Sequence, residues 1–217
     1  MSELVYAFTG PKRGADRAVL LAHGAGADMH APALVCVADA LAAAGVPTLR
    51  FDFPYRTAGK RAPDRAPVLD ASVREAAAEL ARRTKLPPAR LALGGRSMGG
   101  RYCSLAVGAE QEPLAALGLL LLGYPLHPAG KPERQRVEHF PRLDVPCLFV
   151  SGTRDTLASV DALTAATRTI PGPVVHHWLE SCDHGFRPLK ASGLTPGAVL
   201  DDVARVAVAW AMGLPDA

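Results

Sequence analysis

The sequence predicts an α/β fold, with a mostly parallel central sheet and helices on both faces. Three observations carry this. Short apolar runs alternate with amphipathic stretches along the whole chain, the order that builds strand–helix–strand units. Several runs, among them Ala18–Ala22 and Ala115–Leu122, are apolar throughout. An uninterrupted apolar strand is one buried on both faces, as parallel sheets require. The composition, 49% hydrophobic and 21% charged over 217 residues, is that of a globular chain able to bury one large core. A single domain over residues 1–217 is expected.

Each element follows from local pattern. Glu3–Phe8 reads as an edge strand and Ala18–Ala22 as a buried strand ending at His23-Gly24. Pro32–Ala44 has helical apolar spacing and stops at Gly45, a residue that ends helices. Val46–Asp52 is the next strand. Pro67–Lys85 is a long Ala- and Glu-rich helix, terminated by Pro87-Pro88. Arg90–Gly94 is a strand and Met98–Gly108 a helix. Ala115–Leu122 is the most apolar strand and is expected at the centre of the sheet. Val145–Ser151 and Val174–Leu179 are strands flanking a helix at Ser159–Thr169, and Pro196–Met212 is the last helix. Pro54–Pro67 and Gly123–Pro146 are Pro-rich and loop-like; the second is a candidate small lid. Right-handed crossovers align the strand C-termini along one edge. Ligands bind at that edge, where the chain direction switches.

Charge and cysteine usage exclude other classes. The net charge of +3 is too small to predict a nucleic-acid partner. The longest apolar run, Leu114–Gly123, is about half a membrane span, so no membrane partner is expected. Met1–Gly14 lacks the apolar run and cleavage site of a signal peptide. The cysteines Cys36, Cys103, Cys147 and Cys182 form no Cys-x-x-Cys pair and read as reduced thiols, so a cytoplasmic protein is expected. The histidines are dispersed, and adjacent His176 and His177 on a strand point to opposite faces. Neither a metal nor another cofactor is expected. The pattern leaves the oligomeric state open.

The strongest chemical signal is Gly94-Gly95-Arg96-Ser97-Met98-Gly99-Gly100. It holds Gly-x-Ser-x-Gly (Gly95, Ser97, Gly99) between an apolar strand and a helix, the context of a nucleophile elbow. A serine in so tight a turn takes strained dihedrals, and its neighbours two residues away must lack bulk. A phosphate loop would need Gly-Lys-Ser/Thr at the helix start; here the residues are Arg96-Ser97-Met98. Serine needs a base to become a nucleophile. Asp155 follows the strand at Val145–Ser151, and His184 follows Val174–Leu179. The order Ser97, Asp155, His184 is that of an acyl-transfer triad on a parallel sheet. Asp155 could instead cap the following helix, and Asp183 is a less favourable alternative acid. His30, His127, His139, His176 and His177 are weaker candidates for the base. An oxyanion needs two fixed donors. One is the N–H of Met98. The second is expected from Ala25 or Gly26, in the small-residue loop His23–Asp28.

Together these residues resemble the α/β-hydrolase superfamily from about Ala18 to Met212. The resemblance implies an α/β-hydrolase fold, and the chain length leaves no room for a large cap. In that the chain is similar to the cap-less hydrolases around dienelactone hydrolase. Ser97 stands where that group has a cysteine, so its specificity is not carried over. Gly95–Arg101, Phe53–Arg56 and Gly59–Asp64 look still more like a bacterial group related to a testis-expressed animal protein and to a hydrolase-like domain in a subunit of the NSL histone-acetyltransferase complex. The resemblance implies a serine hydrolase of the carboxylesterase or thioesterase kind, acting on a small acyl substrate. Some relatives are scaffolds, so a non-catalytic interaction module is the alternative. Arg56, Arg96, Arg187 and Tyr124 are candidate substrate contacts, the arginines because their forks suit carboxylate and phosphate. Arg101 is a fourth arginine near the expected mouth.

Overall fold

A computed structural model describes residues 4–215. Seven strands form one sheet in the order β1-β3-β2-β4-β5-β6-β7. They are β1 (Val5–Thr9), β2 (Ala18–Ala22), β3 (Thr48–Asp52), β4 (Leu91–Arg96), β5 (Gly118–Leu122), β6 (Cys147–Gly152) and β7 (Val174–Leu179). β1 is antiparallel to β3 and every other pairing is parallel. The helices are α1 (Pro32–Ala43), α2 (Pro54–Thr57), α3 (Ala66–Thr84), α4 (Met98–Val107), α5 (Val160–Thr167) and α6 (Pro196–Met212). This is the α/β-hydrolase architecture, with no large cap.

Residue alternation in the strands feeds two cores. Val19 and Leu21 of β2, with Leu120, Leu122, Leu148 and Val150, pack under α1 and α6. Ala18, Leu20 and Ala22, with Leu93, Leu119 and Phe149, face α3, α4 and α5. β2, β5 and β6 are thus buried on both sides, which is why their sequences lack polar alternation. Local capping agrees with the pattern. Ser159 Oγ accepts from Ala162 N at the start of α5, and Thr195 Oγ1 accepts from Ala198 N at the start of α6.

Three expectations change. The middle strand is β4, and the more apolar β5 lies beside it. Hydropathy misplaced the centre because β4 carries Gly94 and Gly95 where neighbouring backbone leaves no room for a side chain. Pro54–Pro67 is not all loop: α2 forms there, with Pro54 in its first turn, and α3 begins at Ala66. Gly123–Pro146 is not a lid. Tyr124, Leu126, Phe140 and Leu143 are buried in the core on the α4 side, which makes the segment a side wall. Glu3 of the expected edge strand lies outside the described residues.

The chain leaves β2 toward β3 on one side, and β4 then pairs with β2 on the other. The loops after β2 and β4 therefore diverge from adjacent strand ends and open a crevice.

Candidate active site

Ser97 sits between β4 and α4 with φ 49° and ψ −113°. Such a conformation costs on the order of 1–3 kcal/mol and persists only when its surroundings enforce it. They do so here. The Ser97 N–H donates to Leu122 O at 2.9 Å. A Cβ on Gly95 would lie 2.0 Å from Ala22 O, and one on Gly99 would lie 2.3 Å from the same atom. The turn therefore tightens against β2 only because both positions are glycine.

Loops after two further strands bring His184 and Asp155 to the serine. Ser97 Oγ lies 3.0 Å from His184 Nε2, and His184 Nδ1 lies 2.8 Å from Asp155 Oδ2. The Asp155 side chain is fully buried and His184 is one quarter exposed. Asp155 Oδ1 accepts from Leu157 N at 2.8 Å, so the carboxylate is held by its own turn. With a carboxylate on Nδ1, the ring proton belongs on Nδ1, and Nε2 is free to accept from serine. The structure also separates the alternatives. Ser159, not Asp155, caps α5. Asp183 Oδ1 accepts from Gly185 N at 2.7 Å and Arg187 N at 3.0 Å, so it ties its own loop rather than reaching the imidazole.

The loop after β2 is a turn closed by Ala27 N donating to Gly24 O at 3.2 Å, with Gly26 at φ +76°. Sequence reasoning gave no role to His23, the residue that anchors this loop. Phe53 N donates to His23 Nε2 at 3.1 Å. Nδ1 must then carry the proton, and it donates to Gly24 O at 2.8 Å. Burial lowers the His23 pKa, which keeps the ring neutral in this role. The available signal was its position, the last residue before the Gly-rich turn. Burial raises the Tyr55 pKa. Its hydroxyl is buried without a hydrogen-bond partner among the described residues. Met98 is the first residue of α4, so its N–H has no partner within the helix.

Ser97 and His184 open into a cleft of about 510 Å³, lined also by Gly24, Ala25, Gly26 and Arg187. None of the residues lining it is Asp or Glu. The four candidate contacts divide. Arg187 is exposed and lines the cleft, and its guanidinium has no hydrogen-bond or ion-pair partner among the described residues. Arg96 borders the cleft, but its guanidinium is committed elsewhere. Nη1 donates to Leu122 O at 3.0 Å, and the group stacks over Phe186 at 4.2 Å. Arg56 does not line the cleft; it reaches Asp28 at 3.7 Å beside the loop after β2. Tyr124 is the clearest correction. It is buried against Phe140 and Phe149, and its hydroxyl donates to Arg136 O at 2.6 Å. It is a core residue. The cysteines also stay out of the chemistry: burial pushes the Cys103 and Cys147 thiols up to about 12.

A second serine–histidine pair lies inside the fold. Ser104 Oγ and His139 Nε2 are 2.8 Å apart, and both residues are buried. No carboxylate meets His139 Nδ1, which lacks a hydrogen-bond partner. Burial, aided by the charges of Arg101 and Arg142, pushes the His139 pKa down to about 4. The unfolded chain takes that proton near pH 6.5, so acid favours unfolding. Stability falls by up to about 3 kcal/mol between roughly pH 6.5 and 4 and is flat above that window. Urea unfolding at neutral and mildly acidic pH checks this. His139→Gln flattens the dependence; an unchanged slope in the variant would remove His139 as its source.

The profile of the alpha/beta hydrolase domain matches residues 15–212. The chain belongs to the α/β-hydrolase family. Among solved structures it is similar to dienelactone hydrolase from Anabaena variabilis, at 24% identity and TM-score 0.73, covering 97% of this chain and 92% of that one. It is also similar to an alpha-beta serine hydrolase homologue from Coxiella burnetii, at 17% identity and TM-score 0.71, covering 95% and 90%. A serine hydrolase without lid from Xanthomonas campestris matches at 22% identity and TM-score 0.63, covering 99% and 91%. Among the described residues no helix is long and apolar enough to cross a membrane.

Proposed function

We propose that this chain is a cytoplasmic serine hydrolase that cleaves a small ester, thioester or amide through an acyl-enzyme. The observation that carries the reading is the relay from Ser97 Oγ to His184 Nε2 at 3.0 Å and from His184 Nδ1 to Asp155 Oδ2 at 2.8 Å. His184 Nε2 takes the serine proton as Oγ attacks the acyl carbon. The imidazolium is held by Asp155 and returns the proton to the leaving alcohol, thiol or amine. Water then attacks the acyl-enzyme with His184 as base again, releasing the acid and restoring Ser97. The tetrahedral oxyanion is met by the N–H of Met98 and a second N–H from the loop after β2, that of Ala25 or Gly26.

The non-catalytic alternative calls for a serine and histidine out of reach of one another, and the 3.0 Å contact speaks against it. A fluorophosphonate probe is expected to label Ser97, and p-nitrophenyl acetate is expected to be hydrolysed. A folded protein that does neither would sink the enzyme reading.

The unpaired Arg187 in a cleft without carboxylates supports a preference for anionic acyl substrates. Arg187→Ala lowers kcat/KM for an anionic ester by about tenfold and leaves a neutral ester of equal size unchanged. Equal losses on both esters would remove the preference.

A further inference from the structure

The Arg96 side chain has no task in the proposed reaction, yet it is held from two sides. It begins on the residue before Ser97, at the end of β4. Its Nη1 donates to Leu122 O at 3.0 Å and to Gly123 O at 3.4 Å. Leu122 O also accepts the Ser97 N–H at 2.9 Å. One carbonyl at the end of β5 thus holds both the nucleophile's backbone and the neighbouring guanidinium. The chain leaves room for this: Gly123 has φ +60°, and a Cβ there would collide with Arg96 Nη1.

The same guanidinium meets the loop that carries the base. Its central carbon lies 4.2 Å from the centre of the Phe186 ring, whereas the other cation–ring contacts among the described residues are 5.4 Å or longer. Phe186 stands two residues past His184. It is buried and has φ +61°, a conformation unusual for a bulky side chain. Such a residue keeps its place only where its surroundings hold it. Asp183 shapes the loop: its Oδ1 accepts from Gly185 N and Arg187 N, and its carbonyl accepts from Phe186 N at 3.0 Å. Arg154 N, donating to Cys182 O at 2.9 Å, ties the start of the loop to the end of β6. Toward the elbow, two hydrogen-bond or ring contacts join this loop among the described residues: Ser97 with His184, and Arg96 with Phe186.

We propose that Arg96 is a positioning residue, whose guanidinium clasps Phe186 and so holds the loop carrying His184 against the turn carrying Ser97. A cation over an aromatic face is strongest when both are withdrawn from water, and the hydrogen bond to Leu122 O keeps the group from swinging out toward solvent. Burial lowers the Arg96 pKa to about 10, so the guanidinium is still charged at neutral pH. Proton transfer from Ser97 to His184 requires hydrogen-bond reach, and a small misplacement of the imidazole is costly. The kinetic consequence rests on the hydrolase reading; the clasp itself does not.

Two variants test it. Arg96→Met keeps the length and apolar stem and removes the charge and the fork. Phe186→Leu keeps an apolar side chain, removes the ring and leaves Arg96 on Leu122 O. Hydrogen exchange reads the loop without any turnover: the N–H groups of Gly185, Phe186 and Arg187 should exchange about tenfold or more faster in either variant, with those of β6 unchanged. On a small neutral ester, each variant should lower kcat by about thirtyfold and alter KM by less than about threefold. The double variant should lose little more than either single one, because both remove the same contact. Unchanged exchange in the loop, or an equal acceleration in β6, would overturn the clasp, the second by marking a merely structural role. Single-variant losses in kcat that multiply in the double variant would overturn it as well. A wild type that turns over no ester would count against the hydrolase reading and leave the exchange result to decide the clasp.

Discussion

Ser97→Ala is expected to lower kcat on a small ester by about 10⁴-fold or more, with the fold intact. The hydroxyl is the nucleophile in the proposed reaction, so nothing replaces it when it is removed. His184→Ala should cost a similar factor, because Ser97 without its base is an ordinary alcohol. The double variant should be little worse than either single one, since the two groups act as a unit. Asp155→Asn should cost about 10³–10⁴-fold by leaving the imidazole in the wrong tautomer. Steady-state kinetics, with circular dichroism to confirm folding, measures all four. A folded Ser97→Ala protein that keeps wild-type turnover would place the chemistry elsewhere.

Gly95→Ala should be the most destabilising single methyl in the chain. The added carbon would lie 2.0 Å from Ala22 O and 2.6 Å from Ala22 N, at φ +145°. Both atoms are backbone, and Ala22 is the registered partner of Gly95 across β2 and β4, so no flexible side chain can yield. The loss is expected at about 4 kcal/mol or more, a large share of a typical domain's stability. Gly14→Ala is the control. It has φ +82° but nothing within 4 Å of the added carbon, so it should cost only about 1 kcal/mol. Urea denaturation compares them. Equal losses would mean that dihedral strain alone, and not the close approach to β2, decides the position.

Much of this architecture was legible because burial on two faces leaves a strong mark on strands. AVLLA at Ala18–Ala22 matched to the residue, as did the helix at Pro196–Met212. The centre of the sheet was misplaced because apolarity measures transfer from water, whereas β4 spends two positions on close approach of backbones. The residues brought together at the crevice were legible by order, since each follows a strand and strand ends share one edge. Arg96 and Tyr124 were not. A sequence gives the place where a side chain begins, and both side chains end somewhere else: one on carbonyls and an aromatic face, the other in the core. His23 escaped notice because its function is to be neutral and fully bonded, which no motif records.

The segment between β5 and β6 has a kinetic consequence. It packs against α4 as a wall and does not fold over Ser97, so no described element has to move aside for acyl groups to enter or acids to leave. Lidded enzymes often turn over at the speed of a loop. Here the slow step should be bond-making, and kcat on a small ester should be indifferent to added viscogen. A fall in kcat proportional to viscosity would reveal a gate that the fold as described does not contain.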